Sequence, residues 1–183
     1  MTELDIDGTA LELTVGDIAR QEGFDAVVNA ANAELTTGGG VAGALHRAAG
    51  PGLEREGRSH APIRPGTAVV TSGHRLPNPY VIHCLGPVYG RDDPADELLA
   101  SCYREALRLA RETRIRSIAF PALSTGAFGY PVEAAARIAL RTVIAGLRAA
   151  AGIDRVRFVL HDPSTLEVHA RALEELEGKE APR

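Results

Sequence analysis

Residues 27–50 read VVNAANAELTTGGGVAGALHRAAG. The stretch opens on an apolar run, passes two asparagines, Asn29 and Asn32, and reaches three consecutive glycines, Gly38, Gly39 and Gly40. A helix-like pattern begins near Val41. A strand feeding a glycine turn that opens a helix is the unit from which α/β folds are built. Glycines at a helix start let backbone N–H groups approach an anion, and the helix dipole favours negative charge there. The spacing is neither GxGxxG nor GxxxxGKS, so neither the dinucleotide fingerprint nor the Walker loop applies. Taken alone, the turn reads more readily as a flexible loop and a helix start than as a site.

The rest of the chain repeats the alternation. LELTV at 11–15, DAVVNAA at 25–31, TAVVTS at 67–72, YVIHCLG at 80–86, SIAFPAL at 117–123 and VRFVL at 156–160 read as strands. Their continuous apolar runs suit strands buried on both faces. Between them lie amphipathic helices. Leu99, Cys102, Tyr103, Ala106 and Leu109 mark one, and Ala136, Leu140, Val143, Ile144 and Leu147 a second, with Pro131 in its first turn. Pro163 opens a third. Six prolines between Pro51 and Pro87 mark an irregular stretch, not a domain boundary. These elements predict an α/β sandwich in one domain over residues 1–177, with a frayed tail at 178–183.

Composition narrows the function. The 183 residues are 45% hydrophobic and 24% charged, as in soluble globular domains. The net charge of -4, with Lys179 the single lysine, argues against a sequence-independent grip on nucleic acid. Trp is absent and aromatics make up 4%, so stacking platforms for single strands are not expected. Two cysteines, Cys84 and Cys102, form no CxxC pair and read as small buried hydrophobes. His60, His74, His83 and His169 have no partner at metal-ligand spacing, so no metal and no cofactor is expected. His83 lies mid-strand and reads as a core histidine, while His46 could face a cleft or the core. The N-terminus has no basic segment followed by an apolar run, and no stretch reaches ~18 uninterrupted apolar residues, which predicts a cytoplasmic protein. No heptad or exposed apolar stripe is evident, so a monomer is the default.

A second glycine loop, PALSTGAFGYP at 121–131, also follows a strand and precedes a helix. Ser124, Thr125, Gly126 and Gly129 suit an anion-binding loop, and Phe128 stands between glycines as a loop anchor. LSTGA lacks the GxSxG elbow, so Ser124 is a poor candidate nucleophile. Two such loops at the ends of parallel strands suggest a diphosphate held from both sides. Asp17, in GDI after the first of these strands, reads first as a helix cap and second as a carboxylate accepting from an exocyclic amine.

GDI at 16–18, VVNAAN at 27–32, GGGVAGALHRAAG at 38–50, YVIHCLGP at 80–87 and AFPALSTGAFGYP at 119–131, in this order, resemble the macrodomain family of ADP-ribose-binding modules. The resemblance spans about Leu11 to Leu176. It implies a three-layer α/β/α fold around a six-stranded mixed sheet, with ADP-ribose in a cleft across the strand ends. It implies that Asp17 binds the adenine amine, helped by the N–H of Ile18, and that His161 or Leu160 flanks the adenine. Gly38, Gly39, Gly40 and Val41 would line one side of the diphosphate and distal ribose. Ser124, Thr125, Gly126, Ala127 and Phe128 would close the other side through backbone amides. Asn32 would bond the distal ribose, and the reacting end would be Asn32, Gly40 and Phe128.

Some hydrolases of the family read GGGVDGAIH at the glycine loop, with the Asp proposed to activate water. Here that position is Ala42. Viral members read GGGVAGAL and include mono-ADP-ribosyl hydrolases, for which a water positioned by the ligand's phosphate and the Asn is the usual proposal. Two readings therefore follow from the resemblance. One is a hydrolase of ADP-ribosyl esters, acting on protein acidic side chains or on O-acetyl-ADP-ribose. The other is a non-catalytic ADP-ribose reader. A chain with no second domain for an effector inclines the reading toward the enzyme.

Overall fold

The computed structural model describes residues 2–180. The strands are β1 (Thr2–Ile6), β2 (Thr9–Val15), β3 (Ala26–Ala30), β4 (Ala68–Ser72), β5 (Tyr80–Cys84), β6 (Ser117–Phe120) and β7 (Arg155–Leu160). The helices are α1 (Gly40–Ala49), α2 (Pro51–Gly57), α3 (Ala95–Glu112), α4 (Val132–Ala149) and α5 (Pro163–Glu180), and a single 3₁₀ turn runs from Ile18 to Arg20. The strands form one mixed sheet in the order β1-β2-β7-β6-β3-β5-β4. The inner five are parallel, and β1 and β4 pair antiparallel at the edges.

The sheet has seven strands, one more than the six the sequence predicts. The addition is β1, which pairs with β2 through a two-residue turn at Asp7 and Gly8, both at positive φ. Only Ile6 of β1 is buried, so its sequence carries no apolar run. The Asp-Gly turn was the available signal. Helix α2 also lies where an irregular stretch was expected. Pro51 occupies its first turn, where a missing N–H costs nothing. Pro131 caps α4 from just outside instead of sitting in its first turn. Gly178 is still helical in α5, and residues 181–183 of the expected tail lie outside the described residues.

Alternation along the strands divides the core. Val28, Ile82, Ile118, Phe120, Phe158 and Leu160 point to the face covered by α3, α4 and α5. Val27, Val81, Ala119 and Val159 point to the face covered by α1 and the 3₁₀ turn. Both faces are buried, which is why the strand sequences read as continuous apolar runs. Phe120 and Phe158 stack at 5.6 Å between centroids, and Tyr103 of α3 packs 5.4 Å from Phe120. Among the described residues no helix is long and apolar enough to cross a membrane.

One polar chain is buried inside the sheet. Asn29 Nδ2 lies 3.1 Å from His83 Nδ1, and His83 Nε2 lies 2.8 Å from Thr71 Oγ1. With Nδ1 accepting from the amide, Nε2 carries the proton and donates to the hydroxyl, which fits a neutral ring. Burial pushes the His83 pKa down to about 3, and the nearby His46 and His60 act in the same direction. The unfolded chain takes up a proton near pH ~6.5 that the folded chain refuses. Stability from this group is therefore complete above pH ~6.5 and falls by about 1.4 kcal/mol per pH unit below it, until the folded pKa is reached. A loss of about 2 kcal/mol is expected between pH 7.5 and pH 5, read from urea midpoints at the two values. The His83 ring proton resonances should not titrate in that interval; a midpoint near 6.5 would refute the assignment.

Candidate functional site

The sheet order sets the site. β3 is joined to β5 through α1, α2 and β4 on one side, and the chain then returns through α3 to β6 on the other side of β3. That reversal makes the carboxyl ends of β3 and β6 a switch point, where open α/β sheets place ligands. The two glycine loops leave these adjacent strands: residues 31–39 from β3 and residues 121–131 from β6. Two positions further along the sheet, β2 ends at Gly16–Ile18, beside the end of β7 at His161. Gly16 N–H donates to Leu160 O at 3.1 Å, which fixes those two ends together. At ~4.8 Å per strand, the ends from β2 to β3 span about 14 Å.

The first loop is shaped by Asn32. Its Oδ1 accepts from Thr36 N–H at 3.0 Å and from the Thr36 hydroxyl at 3.3 Å, while its Nδ2 donates to Thr36 O at 3.0 Å. Gly39 caps α1 with extended backbone, and Gly40 opens the helix at φ 54°, a conformation that favours glycine. The N–H groups of Gly40, Val41 and Ala42 fall in the first turn and have no acceptor within the helix. A methyl group on Gly39 or Gly40 would meet nothing within 4 Å, so the surface above them is open. Gly43 supports the loop from below: a Cβ there would lie 2.5 Å from Gly38 O. Gly43 lies outside the glycine motif, and its only mark in the sequence is a glycine inside a helical pattern.

The second loop is held at several points. Thr125 Oγ1 donates to Ala122 O at 3.1 Å, Gly129 N–H to Gly126 O at 3.0 Å and Tyr130 N–H to Ser124 O at 2.9 Å. Leu123 N–H donates to the buried Tyr103 phenol at 3.3 Å, which ties the loop to α3. Among the described residues the N–H groups of Thr125, Gly126, Ala127 and Phe128 donate to no protein acceptor. Gly126, Ala127 and Gly129 are exposed, and a Cβ on Gly126 would meet nothing. Ser124 is buried at φ 64°, and its hydroxyl has no partner among the described residues. It sits against Gly86 at the end of β5, where a Cβ would lie 2.1 Å from its Oγ.

Phe128 joins the two loops. It packs on a small cluster of Ala31, Leu35, Ile63 and Leu85, so it rests against the loop that leaves β3. Tyr89 N–H donates to Phe128 O at 2.8 Å, which adds the loop after β5 to the assembly. The structure thus brings Asn32, Gly38, Gly39, Gly40, Val41, Ser124, Thr125, Gly126, Ala127 and Phe128 to one end of two neighbouring strands. Asp17, Ile18 and His161 form a second group at the same edge of the sheet, beyond β7.

Asp17 does cap the 3₁₀ turn. Its Oδ1 accepts from Ala19 N–H at 2.9 Å, and its exposed Oδ2 lies 3.6 Å from Arg20 Nε. Ile18 is buried and His161 exposed. Ala42 is buried under the first loop. Cys84 and Cys102 are fully buried, and burial pushes both thiols up, Cys102 to about 12, so neither is a nucleophile. His46 is buried on α1, close enough to His83 to act on its pKa, with Nε2 unpartnered among the described residues.

A row of unpaired backbone donors at a switch point, with no cationic side chain among them, defines an α/β protein built to receive an anionic ligand. Comparison with known proteins gives the family. The family model for the macro domain matches residues 28–139, and the chain belongs to that family. A macro domain-containing protein of Chlorobaculum tepidum is 51% identical over 81% of this chain and 87% of its own. An O-acetyl-ADP-ribose deacetylase of Klebsiella pneumoniae is 46% identical over 88% of this chain and 95% of its own. A solved Oceanobacillus iheyensis macrodomain with ADP superposes with a TM-score of 0.93 at 38% identity, over 97% of each chain.

Proposed function

We propose that this chain binds ADP-ribose across the strand ends and hydrolyses ADP-ribosyl esters, releasing ADP-ribose from acidic side chains of proteins or acetate from O-acetyl-ADP-ribose. The observation that carries the reading is the pair of facing loops, each presenting free backbone N–H groups over open space. The diphosphate lies between them, held without a lysine or arginine. The adenine lies toward Asp17, Ile18 and His161, and the distal ribose toward Asn32, Gly40 and Phe128. The Klebsiella relative's name and the ADP in the Oceanobacillus macrodomain support the ligand class.

The chemistry needs no cofactor. Water adds to the ester, the ester C–O bond breaks, and carboxylate, ADP-ribose and a proton are formed. With Ala42 in place of a carboxylate, the base is the substrate's own phosphate, held beside the attacking water. Rigid placement of the two reactants can lower the barrier by several kcal/mol, about 7–11 in well-oriented intramolecular cases. Ala42 is also the observation that favours the second reading, a reader that binds ADP-ribose without turning it over.

The test is direct. Peptides carrying mono-ADP-ribose on Glu or Asp, and O-acetyl-ADP-ribose, are incubated with the protein, and release is followed by mass spectrometry. Release from at least one of them is expected. If neither is consumed at protein concentrations that saturate ADP-ribose binding, the reader is correct.

A further inference from the structure

A second pocket lies beside the first loop. Helices α1 and α2 flank an open pocket of about 540 Å³ lined by Thr37, His46, Arg47, Glu54, Arg55 and Arg58, with Gly50 and Pro51 between the helices. Three guanidiniums and one carboxylate give it positive charge in a chain whose net charge is -4. Arg47 and Arg55 have no carboxylate partner among the described residues, whereas Arg58 Nη2 lies 3.5 Å from Glu54 Oε1. His46, only 5% exposed, contributes a ring whose Nε2 has no hydrogen-bond partner among the described residues. The exposed guanidiniums of Arg47 and Arg55 are the groups here that an anion can reach, while the His46 Nε2 is closed off from the pocket.

The pocket is wired to the cleft. Glu54 Oε2 accepts from Thr37 N–H at 3.1 Å and from the Thr37 hydroxyl at 3.0 Å, so one wall of the pocket holds the loop at the residue after Thr36, which Asn32 holds. Arg47 lies against Gly43, where a Cβ would sit 2.9 Å from its Nη1, directly under Gly38. Thr37 is three residues from Gly40, so their Cα atoms are at most about 11 Å apart. An extended peptide covers that distance in about four residues.

We propose that this pocket binds carboxylate side chains of the acceptor protein that flank its ADP-ribosylated residue. The inference rests on the proposed function and names its substrate class: acceptor segments rich in Asp and Glu. The loop 33–39 separates the two pockets, so one segment can place its modified side chain in the cleft and a neighbouring carboxylate on Arg47 and Arg55. Arginine suits this role because its planar fork pairs with both carboxylate oxygens.

Two mono-ADP-ribosylated peptides serve as probes, identical except that Asp and Glu flank the modified residue in one and Asn and Gln in the other. Binding to the 183-residue chain is measured at low salt, with free ADP-ribose in parallel. The acidic peptide should bind about tenfold more tightly than the neutral one. Arg47→Ala/Arg55→Ala should abolish that difference while leaving the ADP-ribose Kd within about twofold, and Arg47→Lys/Arg55→Lys should retain part of it. The preference should fade at high salt. Equal binding of both peptides to the unmodified protein overturns the inference. So does a double variant that loses affinity for a single-stranded RNA oligomer while its peptide preference is unchanged. If free ADP-ribose itself fails to bind, the proposed function has failed, which is a separate result.

Discussion

Asn32→Ala is expected to slow ester hydrolysis about 100-fold while changing ADP-ribose affinity less than about threefold. The reason lies in where its two ends are tied. The amide spends Oδ1 on Thr36 N–H and hydroxyl and one Nδ2 hydrogen on Thr36 O, so its plane is fixed before any ligand arrives. Its Nδ2 then lies 3.5 Å from where a Cβ on Gly38 would stand, at the entrance to the glycine turn. The second Nδ2 hydrogen is free, and in the proposed placement it is the donor for the distal ribose. Alanine removes that donor and releases the 33–37 loop, which displaces the reacting end of the ligand. The diphosphate keeps its amides in both loops, so most of the binding energy survives. A loss confined to the rate marks an interaction used in the transition state; a matched loss in affinity marks plain binding. Single-turnover release and calorimetric titration with ADP-ribose separate the two. Asn32→Asp is the harsher comparison, since it keeps the acceptor for Thr36 N–H but loses both the donor to Thr36 O and the free hydrogen. If that variant retains full rate, Asn32 acts only by shaping the loop.

The sequence makes most of this architecture legible, and the exceptions share a cause. Six strands show because helices cover both sheet faces, so Val27 and Val28 must both be apolar, as must Phe158, Val159 and Leu160. β1 escapes because one face of an edge strand meets water and only Ile6 is buried. α2 escapes because a proline-rich composition hides a helix whose first residue is itself proline. The candidate loops show because glycine and helix starts are local signals. What holds the loops in place is not local. Tyr103 looks like one more apolar position of α3, yet its phenol accepts from Leu123 N–H twenty residues on. Gly43 and Gly86 look like ordinary glycines until the backbone and side chain they face are known. The arginine pocket was unreadable for the same reason, since Arg47, Arg55 and Arg58 converge only when α1 turns into α2 at Gly50 and Pro51.

Gly86→Ala is the second large effect, and it tests whether the β6 loop is positioned from below. The added Cβ would stand 2.1 Å from Ser124 Oγ but 3.4 Å from Ser124 Cβ, so the collision is with the hydroxyl alone. Ser124 cannot swing aside cheaply. It is buried and already at φ 64°, and its carbonyl accepts from Tyr130 N–H. The loop must move, carrying the free amides of Thr125 to Phe128 with it. Overpacking of this size costs about 2–3 kcal/mol of stability, and the displaced amides should weaken ADP-ribose binding about tenfold. Ser124→Ala alone should be within about 0.5 kcal/mol of the parent, because the hydroxyl it removes is buried without a partner. In the double variant the clash is gone, so stability and affinity should both recover, with a coupling of about 2–3 kcal/mol that offsets the single-site loss. Denaturant midpoints and ADP-ribose titrations on the four proteins complete the cycle. Additive losses would mean that Gly86 matters through the β5 strand end rather than through Ser124. A Ser124→Ala variant that alone loses affinity would instead make the hydroxyl a direct ligand contact. Recovery in the double variant leaves one account: the loop binds through its backbone, and Gly86 is small so that Ser124 can lie flat enough to aim it.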